Sequence, residues 1–394
     1  MSADNRWLLP EGIDEALPEQ AEALEALRRR ILDLYASWGY ALVMPPFIEF
    51  IESLLTGTGR DLDLQTFKLT DQLSGRTLGI RADMTPQVAR IDAHRLGREV
   101  PTRLCYMGTV LKTRPEHLGG SRSPLQVGAE LYGHSGLDSD FEVLSLMIET
   151  FRLCGIERIH LDLGHVGIYR ALARAAGWDE AHEAGFFDML QRKARPEIDA
   201  FLGQQALDPA LHEALSALPD LNGDASVLNE ARRLMGAFDG IPAALDGIEA
   251  IGRRLAERYP EVHLNHDLAE LRGYHYQTGL VFAAYVPGQG REIARGGRYD
   301  DIGRVFGRAR PATGFSTDLK TLWLLGGHAT VESPGCIFAP AGDEAGLEAA
   351  IAGLRAEGRR VVRALEGQQA GAAEMGCSHE LRRQGDAWQV VPVA

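Results

Sequence analysis

The segment Gln126-Val-Gly-Ala-Glu130 alternates polar or small side chains with apolar ones, a pattern that predicts a β-strand. Because successive side chains of a strand point to opposite faces of the sheet, Gln126, Gly128 and Glu130 share one face. A carboxylate and a carboxamide there flank a glycine that leaves room for a ligand. Such a face could hold an ammonium group and a polar side chain. A solvated face of an antiparallel sheet is an equally good interpretation.

A second polar segment, Arg81-Ala-Asp-Met-Thr85, lies upstream of this strand. Asp83 and Thr85 stand at a strand-to-helix junction with Pro86 next, and both could line a polar pocket. Helix capping is the simpler explanation for Thr85 taken alone. Threonine side chains satisfy free N–H groups at the start of a helix, and proline fits the first helical turn.

Two downstream segments are also rich in hydrogen-bonding groups. Leu271-Arg-Gly-Tyr-His-Tyr-Gln-Thr278 contains Arg272, whose guanidinium could clamp a carboxylate, although a half-exposed strand would show a similar ladder of polar residues. Arg295-Gly-Gly-Arg-Tyr-Asp300 has paired glycines that let a ligand approach the backbone, or that form an ordinary turn. Neither segment matches a Walker A loop or a Rossmann GxGxxG motif.

The hydrophobic pattern of the whole chain predicts an α+β protein with two domains, residues 1–330 and 331–394. The predicted helices of the larger domain are 17–39, 138–154, several within a helical insertion over about 166–260, and 314–326. The predicted strands are 103–112, 124–133, 158–163, 273–286, 291–295 and a hairpin between 67 and 81. After a linker over 326–334, the small α/β domain is expected to alternate strands with helices at 343–357 and near 370–383.

Composition excludes several classes of protein. The 394 residues include 41 Lys and Arg against 55 Asp and Glu, which gives a net charge of −14, and charged residues make up 24%. These values are ordinary for a globular chain and exclude a disordered, collagen-like or fibrous one. The acidic balance argues against broad non-specific binding of nucleic acid. No apolar stretch approaches the roughly 20 residues that span a bilayer and no secretory signal is recognised, so a cytoplasmic location is expected.

Cysteine and histidine give no sign of a metal site. The chain has four scattered cysteines, Cys105, Cys154, Cys336 and Cys377. We interpret them as buried free thiols rather than as disulfide partners or zinc ligands. There is no HExxH motif among the twelve histidines, and we interpret His263 and His266 as surface residues. No metal ion or cofactor is therefore expected.

The four polar segments, taken together and in order, resemble the histidyl-tRNA synthetase family over roughly residues 1–326. Motif 1, motif 2, the histidine-specific Arg-Gly segment and the approach to motif 3 resemble residues 39–49, 106–130, 271–277 and 296–300. The resemblance implies a class II aminoacyl-tRNA synthetase-like antiparallel sheet core flanked by helices. It also implies a set of histidine-binding residues, Asp83, Thr85, Gln126, Glu130, Arg272, Tyr276 and Gln277. Gln277 stands where the family usually has tyrosine.

Two departures from the family pattern concern arginines that bind ATP. The motif 2 arginine, which binds the α-phosphate, corresponds to Leu111, and the motif 3 arginine corresponds to Thr321. Neither residue offers a cationic fork, and Lys320 does not reproduce the geometry of a guanidinium. Because electrostatic stabilisation is usually the largest catalytic contribution, adenylate formation is not expected and no catalytic residue is assigned. The short carboxy-terminal unit and the net charge argue against binding of tRNA.

A synthetase-like chain that keeps a histidine pocket without the ATP chemistry resembles the regulatory subunits of ATP phosphoribosyltransferase. That resemblance implies a non-catalytic protein at the first step of histidine biosynthesis. It would form a homodimer within a hetero-octamer, activate the short catalytic subunit and take part in feedback inhibition, with L-histidine as its ligand. Three alternatives fit the same residues: an active histidine–tRNA ligase, a synthetase paralogue for another amino acid, and a scaffold with a vestigial pocket.

Overall fold

The computed structural model describes residues 7–56, 60–116, 120–270, 273, 274, 276–326 and 335–393. The chain divides into two units, Met1–Ala329 and Thr330–Ala394, and each has an apolar core of its own. Most of the predicted linker, from residue 327 to 334, lies outside the described residues.

Strands make up the centre of both units. They are β1 Ala41–Leu42, β2 Ile48–Phe50, β3 Phe67–Thr70, β4 Thr77–Ile80, β5 Thr102–Thr109, β6 Leu125–Tyr132, β7 His160–His165, β8 Asn222–Gly223, β9 His263–Asp267, β10 Leu280–Tyr285, β11 Ala294–Arg298, β12 Ala312–Asp318, β13 Ile337–Ala339, β14 Val361–Arg363, β15 His379–Gln384 and β16 Ala387–Pro392. In the larger unit, nine strands form one sheet in the order β1-β5-β6-β12-β11-β10-β7-β9-β8, and β2-β4-β3 form a second. The pairs β1–β5 and β7–β9 are parallel, and the other pairs of these two sheets are antiparallel.

Helices surround the sheets. They are α1 Pro18–Ser37, α2 Ile51–Leu55, α3 Arg60–Gln65, α4 Thr85–Arg90, α5 Leu137–Leu153, α6 Val166–Ala175, α7 Glu180–Gln191, α8 Arg195–Leu202, α9 Pro209–Ala217, α10 Ser226–Met235, α11 Ile241–Arg258, α12 Leu319–Leu325 and α13 Leu347–Ala356. Helices α6 to α11 lie between the parallel strands β7 and β9, which need a long crossover because a hairpin cannot join parallel strands. No helix among the described residues is both long and apolar enough to cross a membrane.

The two faces of the large sheet differ in chemistry because side chains alternate along each strand. On β6, Val127, Ala129 and Leu131 belong to the main apolar core, which also takes in buried residues of α1, α5 and α11. Gln126 and Glu130 point to the other face of the sheet, and both pair with residues of β12. One face of the sheet is thus covered by helices, and the other is left to form a site.

The smaller unit contains the four-stranded sheet β14-β13-β15-β16. Strand β13 is parallel to β14 and to β15, and β15 and β16 form an antiparallel hairpin. Leu347 and Ile351 of α13 pack with Ile337, Val361 and other apolar residues of the sheet to form its core.

Two predicted helices are wrong in whole or in part. Residues near 370–383 do not form a helix: Gly367 and Gly376 have left-handed φ angles of 79° and 69°, and β15 then pairs with β16. The first five residues of the predicted helix 314–326 belong to β12, and α12 begins only after Asp318, whose side chain accepts the N–H groups of Lys320 and Thr321.

Two other expectations need correction. The predicted strand 273–286 is a strand only over Leu280–Tyr285, and a turn precedes it. His266 is not a surface residue: it lies in β9, a strand that the sequence pattern did not predict, and is 3% exposed. The predicted hairpin around Ser74-Gly75 is confirmed by the antiparallel pair β3 and β4.

Candidate functional site

A cavity of about 600 Å³ lies on the open face of the large sheet. Five of the seven predicted site residues line it: Asp83, Thr85, Glu130, Tyr276 and Gln277. Arg272, the sixth, lies outside the described residues. The cavity is large enough for a small metabolite, since ligand pockets typically measure roughly 300–1,000 Å³.

Glu130 lies at the inner end of this cavity with hydroxyl groups around it. Tyr106 Oη donates to Glu130 Oε1 over 2.8 Å, and the hydroxyl of Tyr299 donates to Oε2. Thr85 Oγ1 lies 3.0 Å from Tyr106 Oη and completes the chain of hydroxyls. Burial raises the pKa of the Glu130 carboxyl to about 8, although the two tyrosine hydroxyls act in the opposite direction. The carboxyl therefore binds a proton at neutral pH until a cation is placed beside it.

Two glycines provide the space that the Glu130 carboxyl and its partner Tyr106 occupy. A Cβ at Gly314 would lie 1.5 Å from Glu130 Oε2, so the strand opposite Glu130 must lack a side chain there. A Cβ at Gly128 would lie 2.4 Å from Tyr106 Oη. The sequence-based expectation that Gly128 leaves room for a ligand is therefore wrong: its space is filled by Tyr106.

Asp83, Thr85 and Gln126 form a connected polar wall. Gln126 Nε2 donates to Asp83 Oδ1 over 2.7 Å, and Gln126 Oε1 accepts the N–H of Met84 over 2.9 Å. Asp83 Oδ1 also accepts the N–H of Thr85 over 3.0 Å. Thr85 is the first residue of α4 and does not cap it, because the N-cap position is Met84 and no side chain caps the helix. Gln126 does not line the cavity. Its side chain instead holds the Asp83 carboxylate in place.

Tyr276 and Gln277 reach the cavity from the turn before β10. Gly273 has a left-handed φ of 75°, and its carbonyl accepts the N–H groups of both residues. A Cβ at Gly273 would lie 2.9 Å from both side chains, so glycine allows them to fold over the turn. Gln277 is 4% exposed, and its Oε1 atom has no hydrogen-bond partner among the described residues. A buried acceptor of this kind is available to a ligand N–H.

The outer end of the cavity is lined by ion pairs. Arg295 Nη2 lies 2.9 Å from Glu116 Oε1, and Lys112 Nζ lies 2.6 Å from the same oxygen. Burial acts to raise the pKa of Glu116, but Arg295 and Lys112 outweigh it and hold the pKa at about 2. Arg295 also lies 3.5 Å from Glu292. These four charged groups form one network of ion pairs, and Arg114 lines the cavity beside them.

Of the described residues, Leu111, Lys320 and Thr321 do not line the cavity. Thr321 Oγ1 donates to Asp318 Oδ2 over 2.8 Å within the cap of α12. Lys320 Nζ lies 3.0 Å from Asp14 Oδ1 and so points to another partner. Within the described part of the chain, no group of three or more His, Cys, Asp or Glu residues is arranged to hold a metal ion.

The sequence pattern did not single out Tyr106, Tyr299 or Glu116 as site residues. Tyr106 and Tyr299 lie in segments that were recognised, and the register could have found Tyr106, because β5 pairs Tyr106 directly with Gly128. Glu116 gives no such signal, since it follows β5 in a loop and meets Arg295 only through the tertiary fold.

Comparisons with known proteins agree on the family of this chain. The family model of histidyl-tRNA synthetase matches residues 12–322, and that of the ATP phosphoribosyltransferase subunit HisZ C-terminal domain matches residues 334–391. A Thioalkalivibrio sulfidiphilus protein described as an ATP phosphoribosyltransferase regulatory subunit is 65% identical over 384 residues, which cover 97% of each chain. The chain belongs to the ATP phosphoribosyltransferase regulatory subunit family.

Solved structures confirm the fold predicted for this family member. A Bacillus halodurans structure described as an ATP phosphoribosyltransferase regulatory subunit/histidyl-tRNA synthetase has a TM-score of 0.80 and 28% identity, and covers 93% of this chain and 95% of its own. An ATP phosphoribosyl transferase (HisG:HisZ) complex from Thermotoga maritima gives a TM-score of 0.58 at 18% identity, over 74% of this chain and 96% of its own. The latter is a likeness of fold. The predicted class II histidyl-tRNA synthetase-like architecture is thus confirmed, and the family places the chain in the regulation of histidine biosynthesis.

Proposed function

We propose that this chain is a non-catalytic regulatory subunit that binds L-histidine in the cavity beside Glu130 and transmits its occupancy to a short catalytic subunit of ATP phosphoribosyltransferase. It activates that subunit and takes part in feedback inhibition by histidine. The observation that carries the proposal is the buried carboxyl of Glu130, whose hydrogen-bond partners among the described residues are tyrosine hydroxyls. The proposal also takes Leu111 and Thr321 as replacements of the two ATP-binding arginines, as the family resemblance implies.

The inner end of the cavity supports an amino acid as ligand. The Glu130 carboxyl lacks a cationic partner among the described residues and would gain one from the ammonium or imidazole of histidine. Asp83 adds a second acceptor, and the unpartnered Oε1 of Gln277 adds a third. Arg272 is assigned to the ring or carboxylate by the family resemblance alone.

The residues at the positions predicted to face the ATP phosphates support the loss of ATP chemistry. Thr321 and Lys320 are engaged with Asp318 and Asp14, so neither is directed at a nucleotide. Arg295, which lines the cavity, is paired with Glu116 and Glu292. Leu111 and Thr321 themselves offer a triphosphate no cationic fork, which is unfavourable for phosphoryl binding.

The partner follows from the family. The relatives are described as regulatory subunits, and the Thermotoga maritima structure is described as a HisG:HisZ complex. We assign this chain the same kind of partner, as a homodimer within a hetero-octamer in the cytoplasm, without a cofactor and without tRNA. Histidine would act by favouring one of two states of the complex, since a ligand shifts an equilibrium only by its differential affinity.

The decisive experiment mixes this chain with a short-form catalytic subunit. We expect the turnover of ATP phosphoribosyl transfer to rise on mixing and to fall when histidine is added. Glu130→Gln should still activate the partner but should lose the response to histidine. Glu149→Gln, which removes a half-buried carboxylate that pairs with Arg152 on α5, is the matched control and should behave as the wild type.

Two outcomes would overturn this assignment. The absence of both a complex and a rate change on mixing would remove the regulatory function. Histidine-dependent exchange of pyrophosphate into ATP by the pure chain would instead identify an active histidine–tRNA ligase, and the same exchange with another amino acid would identify a paralogue of different specificity.

A further inference from the structure

Cys336 and Cys377, although distant in sequence, meet at one end of the sheet in the smaller unit. Strands β13, β14 and β15 are parallel, so their first residues gather at the same edge. The N–H of Ile337 donates to the carbonyl of Arg360 over 2.9 Å, and the N–H of His379 donates to the carbonyl of Cys336 over 3.1 Å. Cys336, Arg360 and the residues just before His379 are therefore close neighbours.

Cys336 directly precedes β13 and Cys377 lies two residues before β15, the strand that pairs with β13. Burial raises the pKa of the Cys377 thiol to about 11, and the Arg360 guanidinium acts in the opposite direction. Gly335 permits the close approach of the two segments, because a Cβ there would lie 2.1 Å from Ser378 Oγ. Cys377 is 4% exposed whereas Cys336 is half-buried, so a reagent in solution reaches Cys336 first.

The other two cysteines provide a contrast within the same chain. Cys105 and Cys154 are 1% and 6% exposed in the core of the larger unit, and burial raises the pKa of each thiol to about 12. A reagent in solution cannot reach these thiols, and little of either is present as the nucleophilic thiolate. The pair in the smaller unit differs in two respects: Cys336 is accessible, and Cys377 lies on the neighbouring segment of the same sheet, where it can attack a mixed disulfide within the chain.

We propose that Cys336 and Cys377 form a reversible disulfide by exchange with a small-molecule disulfide. The Cys336 thiolate attacks one sulfur of the reagent, whose other half leaves as a thiolate and takes up a proton. The Cys377 thiolate then attacks the Cys336 sulfur of the mixed disulfide, and the second half of the reagent leaves in the same way. Two protein thiols are oxidised to one disulfide while the reagent is reduced to two thiols.

The new bond would join the start of β13 to the segment that enters β15 and would close a loop containing α13 and β14. A cross-link over a loop of this kind restricts the unfolded chain and stabilises the unit that contains it. The smaller unit would thereby gain an oxidised state that is harder to unfold than its reduced state. This inference concerns a site separate from the proposed histidine cavity and stands independently of it.

The test treats the full-length folded chain with oxidised glutathione, alkylates the remaining thiols and identifies the modified peptides by mass spectrometry. We expect two of the four thiols to be lost to a bond between Cys336 and Cys377, to return with dithiothreitol, and to raise the midpoint of thermal unfolding while oxidised. Cys377→Ser should instead accumulate a glutathione adduct on Cys336. Cys336→Ser should leave the buried Cys377 unmodified.

Cys154→Ala is the matched control and should form the same disulfide as the wild type. Four free thiols after treatment, with an unchanged circular dichroism spectrum, would overturn the proposal. A wild-type chain that stops at a glutathione adduct on Cys336 would also overturn it, because the second thiol would then be out of reach.

Discussion

Two glutamates on the same side of the large sheet have opposite environments. Glu130, at the inner end of the cavity, is surrounded by tyrosine hydroxyls, and burial raises its pKa to about 8. Glu116, at the outer end, is paired with Arg295 and Lys112, and its pKa is held at about 2. A carboxyl without a cation is poised to receive one from a ligand, whereas a carboxyl that already has two cations is a structural element.

The substitution that tests this difference most directly is Glu130→Gln, which removes the carboxylate charge and keeps the shape of the side chain. We expect histidine affinity to fall by about 2–5 kcal/mol, the usual cost of removing one partner of a buried charge pair. Calorimetric titration of wild type and variant measures it directly. Equal affinities for the two proteins would place the ligand elsewhere.

In the absence of ligand, Glu130→Gln should make the folded chain more stable. An unfolded glutamate titrates near 4.5 and the folded Glu130 near 8, so the folded state binds more protons between these values and stability falls as pH rises through that window. Glutamine avoids this cost, so Glu130→Gln should increase the free energy of unfolding at pH 7 by about 3 kcal/mol. Urea unfolding at pH 4.5 and at pH 7 checks it. The gain should be absent at the lower pH, and a gain of the same size at both would contradict the titration of Glu130.

How much of this site follows from sequence depends on which residues are considered. Glu130 and Gln126 follow from strand alternation, because a period of two needs no tertiary information. The function of Gln126 as a support for Asp83 does not follow, since it depends on the junction at residues 83–85 packing against β6. The pairing of Glu116 with Arg295 joins a loop to a strand far along the chain, and no local pattern encodes it.

The fold shows the same division. Helix α1 and the strands β5 and β6 were predicted near their observed bounds because each has a clear period and a turn residue at its end. The predicted helix near 370–383 failed because left-handed glycines interrupt the chain at Gly367 and Gly376 and pairing with β16 favours a strand. Periodicity identifies the apolar face of a segment, but pairing with neighbouring strands decides whether the segment forms a helix or a strand.

A pH titration of histidine affinity tests the proton on Glu130. If the ligand ammonium faces this carboxyl, Glu130 must lose its proton on binding, so affinity should rise by about tenfold per pH unit below 8 and level off above it. The measurement is the dissociation constant between pH 6 and pH 8.5, with Glu130→Gln as the control that should show no such slope. A flat wild-type profile would contradict this arrangement and would assign the imidazole, which can share the proton, to Glu130.

The smallest effect is expected at the outer glutamate. Glu116→Gln removes two ion pairs from a side chain that is 26% exposed, so the free energy of unfolding should fall by only about 1 kcal/mol, the upper range for partly exposed pairs. Because the pKa of Glu116 is lowered to about 2, its stabilisation is complete above pH 4.5 and is lost only as pH falls through 2. The difference between Glu116→Gln and wild type should therefore be constant from pH 5 to pH 8, the window in which the Glu130→Gln difference changes most. Histidine affinity should stay within about threefold of wild type, since less than 1 kcal/mol is at stake. A loss as large as that of Glu130→Gln would show that the two carboxyls belong to a single ligand site and that the outer ion pairs rearrange when histidine binds.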